Sequence, residues 1–335
     1  MTRDRNEREQ ALDPSQSFVV EAPAGSGKTG LLVQRYLRLL AAVERPESIV
    51  AMTFTRKAAA ELMERICGAL ADAGSQVLAE NDYERRTREL ALAALEQDRK
   101  KSWNLVSDPG RLQIQTIDSL CAMLTRQMPV SSAFGGITRV IENASELYTM
   151  AARRALRDLA EGDAAEKDLL RIVSQHFDGD LRALEGQIAR MLQKRDQWHF
   201  SGAADGLIGA FCELLRRAHE ALIEVFRGET QVDFTEVTRA AIRALGTSEQ
   251  PSDLLYRLDY QIEHLLVDEF QDTSLAQYEL IETLTGQWSE GDGHTLFLVG
   301  DPMQSIFRFR EAEVSLFLES WKRKQLGSVR LTPLR

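Results

Sequence analysis

The sequence predicts an α/β fold: a parallel sheet covered by helices on both faces and interrupted by all-helical insertions. Three observations carry this. Short apolar runs, "SFVVEA" (17–22), "HLLVDEF" (264–270) and "TLFLVGD" (295–301), each lead directly into polar, glycine-bearing or acidic residues, as buried parallel strands do. Helical periodicity between such runs gives strand–helix–strand alternation, which implies a parallel sheet with both faces covered. The middle of the chain, from about Ser145 to about Leu245, is almost free of strand signals and rich in Ala, Leu, Glu and Arg.

Taken in order, 17–22 is the first strand and "TGLLVQRYLRLLAAV" the first core helix, predicted over 29–43. "SIVAMTF" (48–54) and "LQIQTID" (112–118) are two further strands. Between them, "DYERRTRELALAALEQDRK" reads as a helix. "ELYTMAARRALRDLA", "DLLRIVSQHF", "LRALEGQIARML" and "LIGAFCELLRRAHEALIEVF" show helix period with polar outer faces. The runs at 264–270 and 295–301 return the chain to the sheet. The basic "WKRKQLGSVR" reads as a solvated helix end and turn. The expected organisation is a core in three segments, 1–75, 111–140 and 233–335, with helical insertions at 76–110 and 141–232 that pack together as one small subdomain.

Composition excludes several classes. The 335 residues are 44% hydrophobic and 27% charged, ordinary for a globular protein. No apolar run approaches the ~18–20 residues that cross a bilayer. The N-terminal "MTRDRNEREQ" has no apolar signal-peptide core, so a cytoplasmic protein with no membrane contact is expected. Cys67, Cys121 and Cys212 lie far apart and form no CxxC pair, which argues against a zinc site or a disulfide framework. A net charge of −10 counts weakly against nucleic-acid binding, because a local basic groove can sit on an acidic protein.

Two motifs carry the chemistry. "APAGSGKT" (22–29) lies between a predicted strand and a predicted helix. The P-loop pattern wants glycine first and finds Ala22, but the physics survives. Gly25 and Gly27 permit the positive φ that turns successive backbone N–H groups, from Ala24 through Ser26 to Thr29, toward one point. The following helix aims its N-terminus at a bound anion. Lys28 is placed to reach the β- and γ-phosphates, and the Thr29 hydroxyl to ligate Mg²⁺. The second motif, "LLVDEFQDTS", sets Asp268 and Glu269 at a strand end. There Asp268 would hold Mg²⁺ through water and Glu269 would polarise the attacking water. Together the motifs predict ATP or GTP binding.

These and further motifs, in order, resemble those of superfamily 1 helicases of the UvrD/Rep type, and most of all the RecB/AddA branch. "AMTFTRKAAAELMERI" (51–66) is similar to the family's TFT-x-K-A-A-x-E-M element, and "IQTIDSLCAML" (114–124) to its next DNA-facing element. "VDEFQDTS" is the family's form of the acidic motif, and "VGDPMQSIFRFREAEVSLF" (299–317) resembles GD-x-x-QSIY-x-FR-x-A. The resemblance implies a RecA-like P-loop NTPase sheet with an inserted all-helical subdomain, ATP and Mg²⁺ as ligands, and 3′-to-5′ movement on single-stranded DNA in recombination and double-strand-break repair. It also implies a RecC/AddB-like partner subunit. It assigns γ-phosphate sensing to Gln304, adenine reading to Gln10 and a nucleotide contact to Arg335. DNA contacts are implied for Thr53, Phe54 and Thr55, for Thr116, Ile117 and Asp118, and for Phe307, Phe309 and Arg310. On the residues alone, Phe54 reads as core and Arg56 as solvated, whereas "QSIFRFR" interleaves aromatics and arginines as a stacking platform does.

Departures from the pattern matter. Asp118 stands where many relatives carry His, and a carboxylate cannot donate to a phosphate at neutral pH. Phe307 replaces Tyr. "RLTPLR" matches only the start of the family's next motif, so the expectation is an amino-terminal part, truncated before the second motor domain and slow in hydrolysis by itself. Two rivals stay open at this point. A catalytically silent ATP- and DNA-binding module would show no loss with Lys28→Ala. A P-loop kinase would turn over ATP in response to a small acceptor and be indifferent to oligonucleotide.

Overall fold

The computed structural model describes residues 2–23, 25–74, 81–128, 139–198, 206–247, 249–304 and 313–335. The chain forms two units, Met1–Ser132 with Ala240–Arg335, and Ala133–Arg239.

The first unit is built on a six-stranded sheet. Its strands are β1 (Phe18–Glu21), β2 (Ile49–Thr53), β3 (Gln113–Thr116), β6 (His264–Val267), β7 (Thr295–Gly300) and β10 (Thr332–Leu334), in the order β10-β1-β7-β6-β2-β3. Every neighbouring pair is parallel. The five strands expected from the apolar runs are all present. The sixth, β10, lies within "RLTPLR", where Pro333 hides the strand signal. Proline is tolerated because β10 is an edge strand, bonded on one side only.

Both faces of the sheet are buried. Phe18, Val20, Ala51, Leu266, Phe297 and Val299 face a core shared with helices α2 (Lys28–Leu40), α3 (Arg56–Ala73) and α4 (Asp82–Lys101). The alternate residues Val19, Val50, Leu265, Val267 and Leu298 are buried too. That is why these strands read as continuous apolar runs instead of alternating ones. Burying one such side chain contributes roughly 1.5–3 kcal/mol.

Helix α4 corrects the expectation that the two insertions pack together. Leu90, Ala91 and Ala94 place it in the same core as α2 and α3, and Gln34 Nε2 donates to Thr87 Oγ1 at 3.0 Å. Its narrow apolar stripe of small side chains permits close approach to two helices of the sheet layer.

The remaining elements of this unit are helices α1 (Thr2–Ala11), α5 (Ile117–Gln127), α11 (Asp253–Gln261), α12 (Leu275–Leu284) and α13 (Val314–Arg323), and the antiparallel hairpin of β8 (Gln325–Leu326) and β9 (Val329–Arg330). Lys324, at φ 54°, ends α13 within the basic run read as a helix end and turn.

The second unit contains α6 (Ser145–Glu161), α7 (Ala164–Gln175), α8 (Leu181–Gln193) and α9 (Gly206–Glu229), with α6 packed on the other three. β4 (Arg139–Val140) pairs in parallel with β5 (Gln231–Val232), and α10 (Phe234–Leu245) leads back to the sheet. Inside this unit the Arg195 guanidinium donates to both carboxylate oxygens of Asp233 at 2.7 and 2.6 Å, and the Tyr148 hydroxyl donates to the same carboxylate at 2.6 Å. Among the described residues no helix is long and apolar enough to cross a membrane.

Candidate functional site

Because the six strands are parallel, their carboxyl ends lie along one edge, and the loops there hold the two chemical motifs. β1 runs through Ala22–Gly27 into α2. Gly25 (φ 75°) and Gly27 (φ 82°) both occupy the left-handed region that the motif requires of them. Gly27 caps α2 without a side-chain hydrogen bond, so the helix's first N–H groups receive no side-chain acceptor. Ser26 Oγ is buried without a hydrogen-bond partner. A glycine-turned loop, an uncapped helix start and an orphaned hydroxyl together fit a phosphate group.

Strand order assembles the rest. β7 separates β1 from β6, so the acidic pair that follows β6 stands one strand away from the glycine loop. Lys28 Nζ spans that gap and donates to Glu269 Oε2 at 3.0 Å. The Ala22 N–H donates to the Gly300 carbonyl at 3.0 Å, which ties the loop to the end of β7. Asp268 is buried and its Oδ1 accepts the Glu269 N–H at 3.0 Å. Burial pushes the Asp268 carboxyl up to about 6, the Glu269 charge adds to this, and Lys28 opposes it. A divalent cation beside this pair would relieve both effects, so the donor set of Thr29 and Asp268 fits Mg²⁺. Glu269 has φ 52°, a strained value for a residue with a side chain, at the carboxylate that the chemistry needs.

Beside the loop is a cavity walled by Val20, Ala22, Leu31 and Leu334, with Glu7, Arg8 and Ala11 contributed by α1. Gln10 does not belong to it. One turn of α1 puts residues 7, 8 and 11 on the cavity side and leaves Gln10 exposed. Arg8 occupies that wall instead, and its guanidinium donates to the Ser26 carbonyl. Arg335 does reach the cavity, because β10 pairs with β1. Its Nε donates to Glu21 Oε2 at 2.8 Å and its N–H to Glu7 Oε2 at 3.2 Å.

Gln304 follows β7, and its Nε2 donates to the Asp301 carboxylate. Sequence reasoning did not single out Gln271 as a site residue, although "DEFQDTS" contains it. It is 1% exposed, and its Nε2 donates to Glu269 Oε2 at 2.8 Å.

The expected DNA contacts divide. Thr53 and Thr116 are register partners at the ends of β2 and β3, so 53–55 and 116–118 lie side by side on the edge that carries the acidic pair. Within that arrangement Thr55 Oγ1 caps α3 by accepting the Ala58 N–H, and Thr116 Oγ1 caps α5 by accepting the Ser119 N–H, both at 3.1 Å. Thr53, Phe54 and Ile117 are buried, and Arg56 is exposed. Phe54 therefore sits as the residues alone suggest, and no ring face is presented for stacking. Asp118 is half-buried in the first turn of α5. Phe307, Phe309 and Arg310, like Ala24 in the glycine loop, lie outside the described residues.

Comparison with known proteins agrees with this geometry. An ATP-dependent helicase/nuclease subunit from Oceanobacillus iheyensis is 33% identical over 117 residues, covering 33% of this chain and 9% of that protein. Its counterpart in Staphylococcus carnosus is 27% identical over 236 residues, covering 67% and 18%. The ATP-dependent DNA helicase PcrA of Leuconostoc citreum is 27% identical over 320 residues, covering 93% and 34%. The chain thus spans about a third or less of these relatives' length. The UvrD/REP helicase N-terminal domain matches residues 4–325. With its glycine loop and acidic pair meeting across a parallel RecA-like sheet, the chain belongs to the UvrD/REP helicase N-terminal domain family.

Proposed function

We propose that this chain is the ATP-binding motor domain of a cytoplasmic DNA helicase that moves 3′ to 5′ on single-stranded DNA in recombination and double-strand-break repair. The observation that carries the reading is the 3.0 Å contact between Lys28 and Glu269, which brings the cation of one motif to the acid of another beside an uncapped helix start. The backbone of residues 24–29 cradles the phosphates. Lys28 leaves Glu269 for the β- and γ-phosphates, which frees that carboxylate to orient water and accept its proton. Thr29 and Asp268 hold Mg²⁺, which supplies positive charge against the phosphate oxygens. Gln304 senses the γ-phosphate, and Arg335 lies at the base-side cavity.

DNA lies along 53–55 and 116–118 and on Phe307, Phe309 and Arg310. Phe54 can stack only after leaving its buried position. The names of the helicase/nuclease relatives support the repair branch and a RecC/AddB-like partner.

ATP hydrolysis with and without an oligo-dT strand, with Lys28→Ala as control, tests the reading. Binding of Mg-ATP, turnover raised by oligo-dT, and loss of both in Lys28→Ala are expected. Unchanged binding in Lys28→Ala overturns the nucleotide site. Turnover raised by a small acceptor and indifferent to DNA favours a kinase. Displacement of streptavidin from the 5′ and not the 3′ end of a biotinylated strand tests the direction.

A further inference from the structure

We propose that Gln271 is the positioning residue that holds the Glu269 carboxylate and couples it to the turn at 301–304. The inference rests on the nucleotide-site reading above and concerns a residue which that reading leaves without a role.

Both ends of the buried Gln271 amide are used. Nε2 donates to Glu269 Oε2 at 2.8 Å and to Asp272 Oδ2 at 3.3 Å. Oε1 accepts the Asp301 N–H at 2.9 Å. The orientation of the amide follows from its partners, since a backbone N–H only donates and a carboxylate only accepts. The fold also makes room for it. A Cβ at Gly300 would stand 2.7 Å from Gln271 Oε1 and 2.8 Å from the Phe317 ring, so only glycine at the end of β7 admits the amide.

Glu269 Oε2 accepts from two donors, Lys28 and Gln271. Once Lys28 turns to phosphate, Gln271 alone keeps Oε2 in place and leaves Oε1 for water. The other end of the amide is fastened to the turn in which the Met303 N–H and Gln304 Nε2 bond the Asp301 carboxylate. On the far side of residues 305–312, the Glu313 N–H donates to the Thr273 carbonyl at 3.1 Å. Both flanks of the "QSIFRFR" region are therefore tied to the loop after β6. A displacement of the 301–304 turn moves the Gln271 amide, and with it the carboxylate.

Two variants separate the ends of the amide. Gln271→Glu keeps an acceptor for the Asp301 N–H and removes the donor to Glu269. Gln271→Met removes both. In this 335-residue chain, a fluorescent ADP analogue with Mg²⁺ reports binding, oligo-dT-stimulated ATP turnover reports chemistry, and exchange of the Asp301 amide reports the tie to the turn. The expected result is that both variants bind the analogue as the wild type does and lose turnover about 10²-fold. The Asp301 amide exchanges about tenfold faster in Gln271→Met, the equivalent of one hydrogen bond, and at the wild-type rate in Gln271→Glu. Adding Mg-ADP changes Asp301 exchange in the wild type and not in Gln271→Met, a result that decides the matter even where turnover is too slow to follow.

Wild-type turnover in Gln271→Glu overturns the proposal, as does a nucleotide response at Asp301 that survives in Gln271→Met or is missing from the wild type. Loss of analogue binding in both variants makes Gln271 a binding or structural residue and overturns it too. Lys28→Ala with wild-type binding sinks the underlying site reading separately.

Discussion

Replacing Arg35 by leucine tests how the wall of the nucleotide cavity is held. Arg35 lies on α2 and is fully buried, with its guanidinium ringed by main-chain oxygens. Nη1 donates to the Ala11 carbonyl at 3.0 Å and to that of Asp13, and Nη2 donates to the Gln16 carbonyl at 2.9 Å. The Phe18 and Phe297 rings lie 5.5 and 5.3 Å from the guanidinium carbon. Burial lowers its pKa to about 9, so it remains charged at neutral pH. This one side chain staples the segment between α1 and β1.

Leucine fills part of the volume and leaves three carbonyls without a donor. The Ala11 oxygen cannot reach water and costs about 2 kcal/mol, while those of Asp13 and Gln16 are partly rehydrated at about 1 kcal/mol each. Loss of the ring contacts adds about 1 kcal/mol, and relief from burying a charge returns a similar amount or more. The expected net loss is about 3 kcal/mol, which lowers the melting temperature by about 10 °C in a body of this size. Urea unfolding followed by the fluorescence of buried Trp103 and Trp288 measures it. Arg35→Lys, which retains the charge and fewer donors, should lose about half as much. A change below about 1 kcal/mol in Arg35→Leu would refute the staple.

Acid should also weaken this unit. His264 Nδ1 lies 2.7 Å from Thr295 Oγ1, and burial, with nearby Arg35 and His294, lowers the ring's pKa from 6.5 to about 3. Between those values the unfolded chain holds the proton and the folded chain does not. Stability is therefore full above pH 6.5 and falls by about 1.4 kcal/mol per unit as the pH drops toward 3. In urea titrations His264→Asn should flatten that slope, and an unaltered slope would clear His264. In the helical unit, Asp233→Asn leaves the Arg195 guanidinium buried without its anion, at a cost of about 3–5 kcal/mol. Circular dichroism at 222 nm should show early loss of helix, and a wild-type melt would show that the pair does not hold this unit.

Much of the molecule was legible along the chain because its signals are local. A run such as "HLLVDEF" needs no neighbour to declare a buried strand, and Gly25 and Gly27 declare their turn by the φ that only glycine adopts freely. Lys28, Asp268 and Glu269 were readable as partners of phosphate and metal because they stand at such strand ends. Other features depend on packing. β10 escaped notice because Pro333 is acceptable only at an edge, and a strand's place at an edge is decided by its neighbours. Arg35 carries the most polar side chain of its helix, yet the carbonyls between α1 and β1 gather around it and bury it.

The same distinction runs through the site. Gln10 matched a motif by residue type, whereas the pitch of α1 turned Glu7, Arg8 and Ala11 to the cavity. Gln271 is one polar residue among several in "DEFQDTS" until β7 comes to lie beside β6 and sets the Asp301 N–H against its amide. By itself, then, the sequence determined the strands, the phosphate loop, the acidic pair and the family, because each is written in the covalent preferences of neighbouring residues. Only the tertiary structure decided which side chains meet, because strand order and helix rotation are settled by the joint burial of surfaces far apart in the chain.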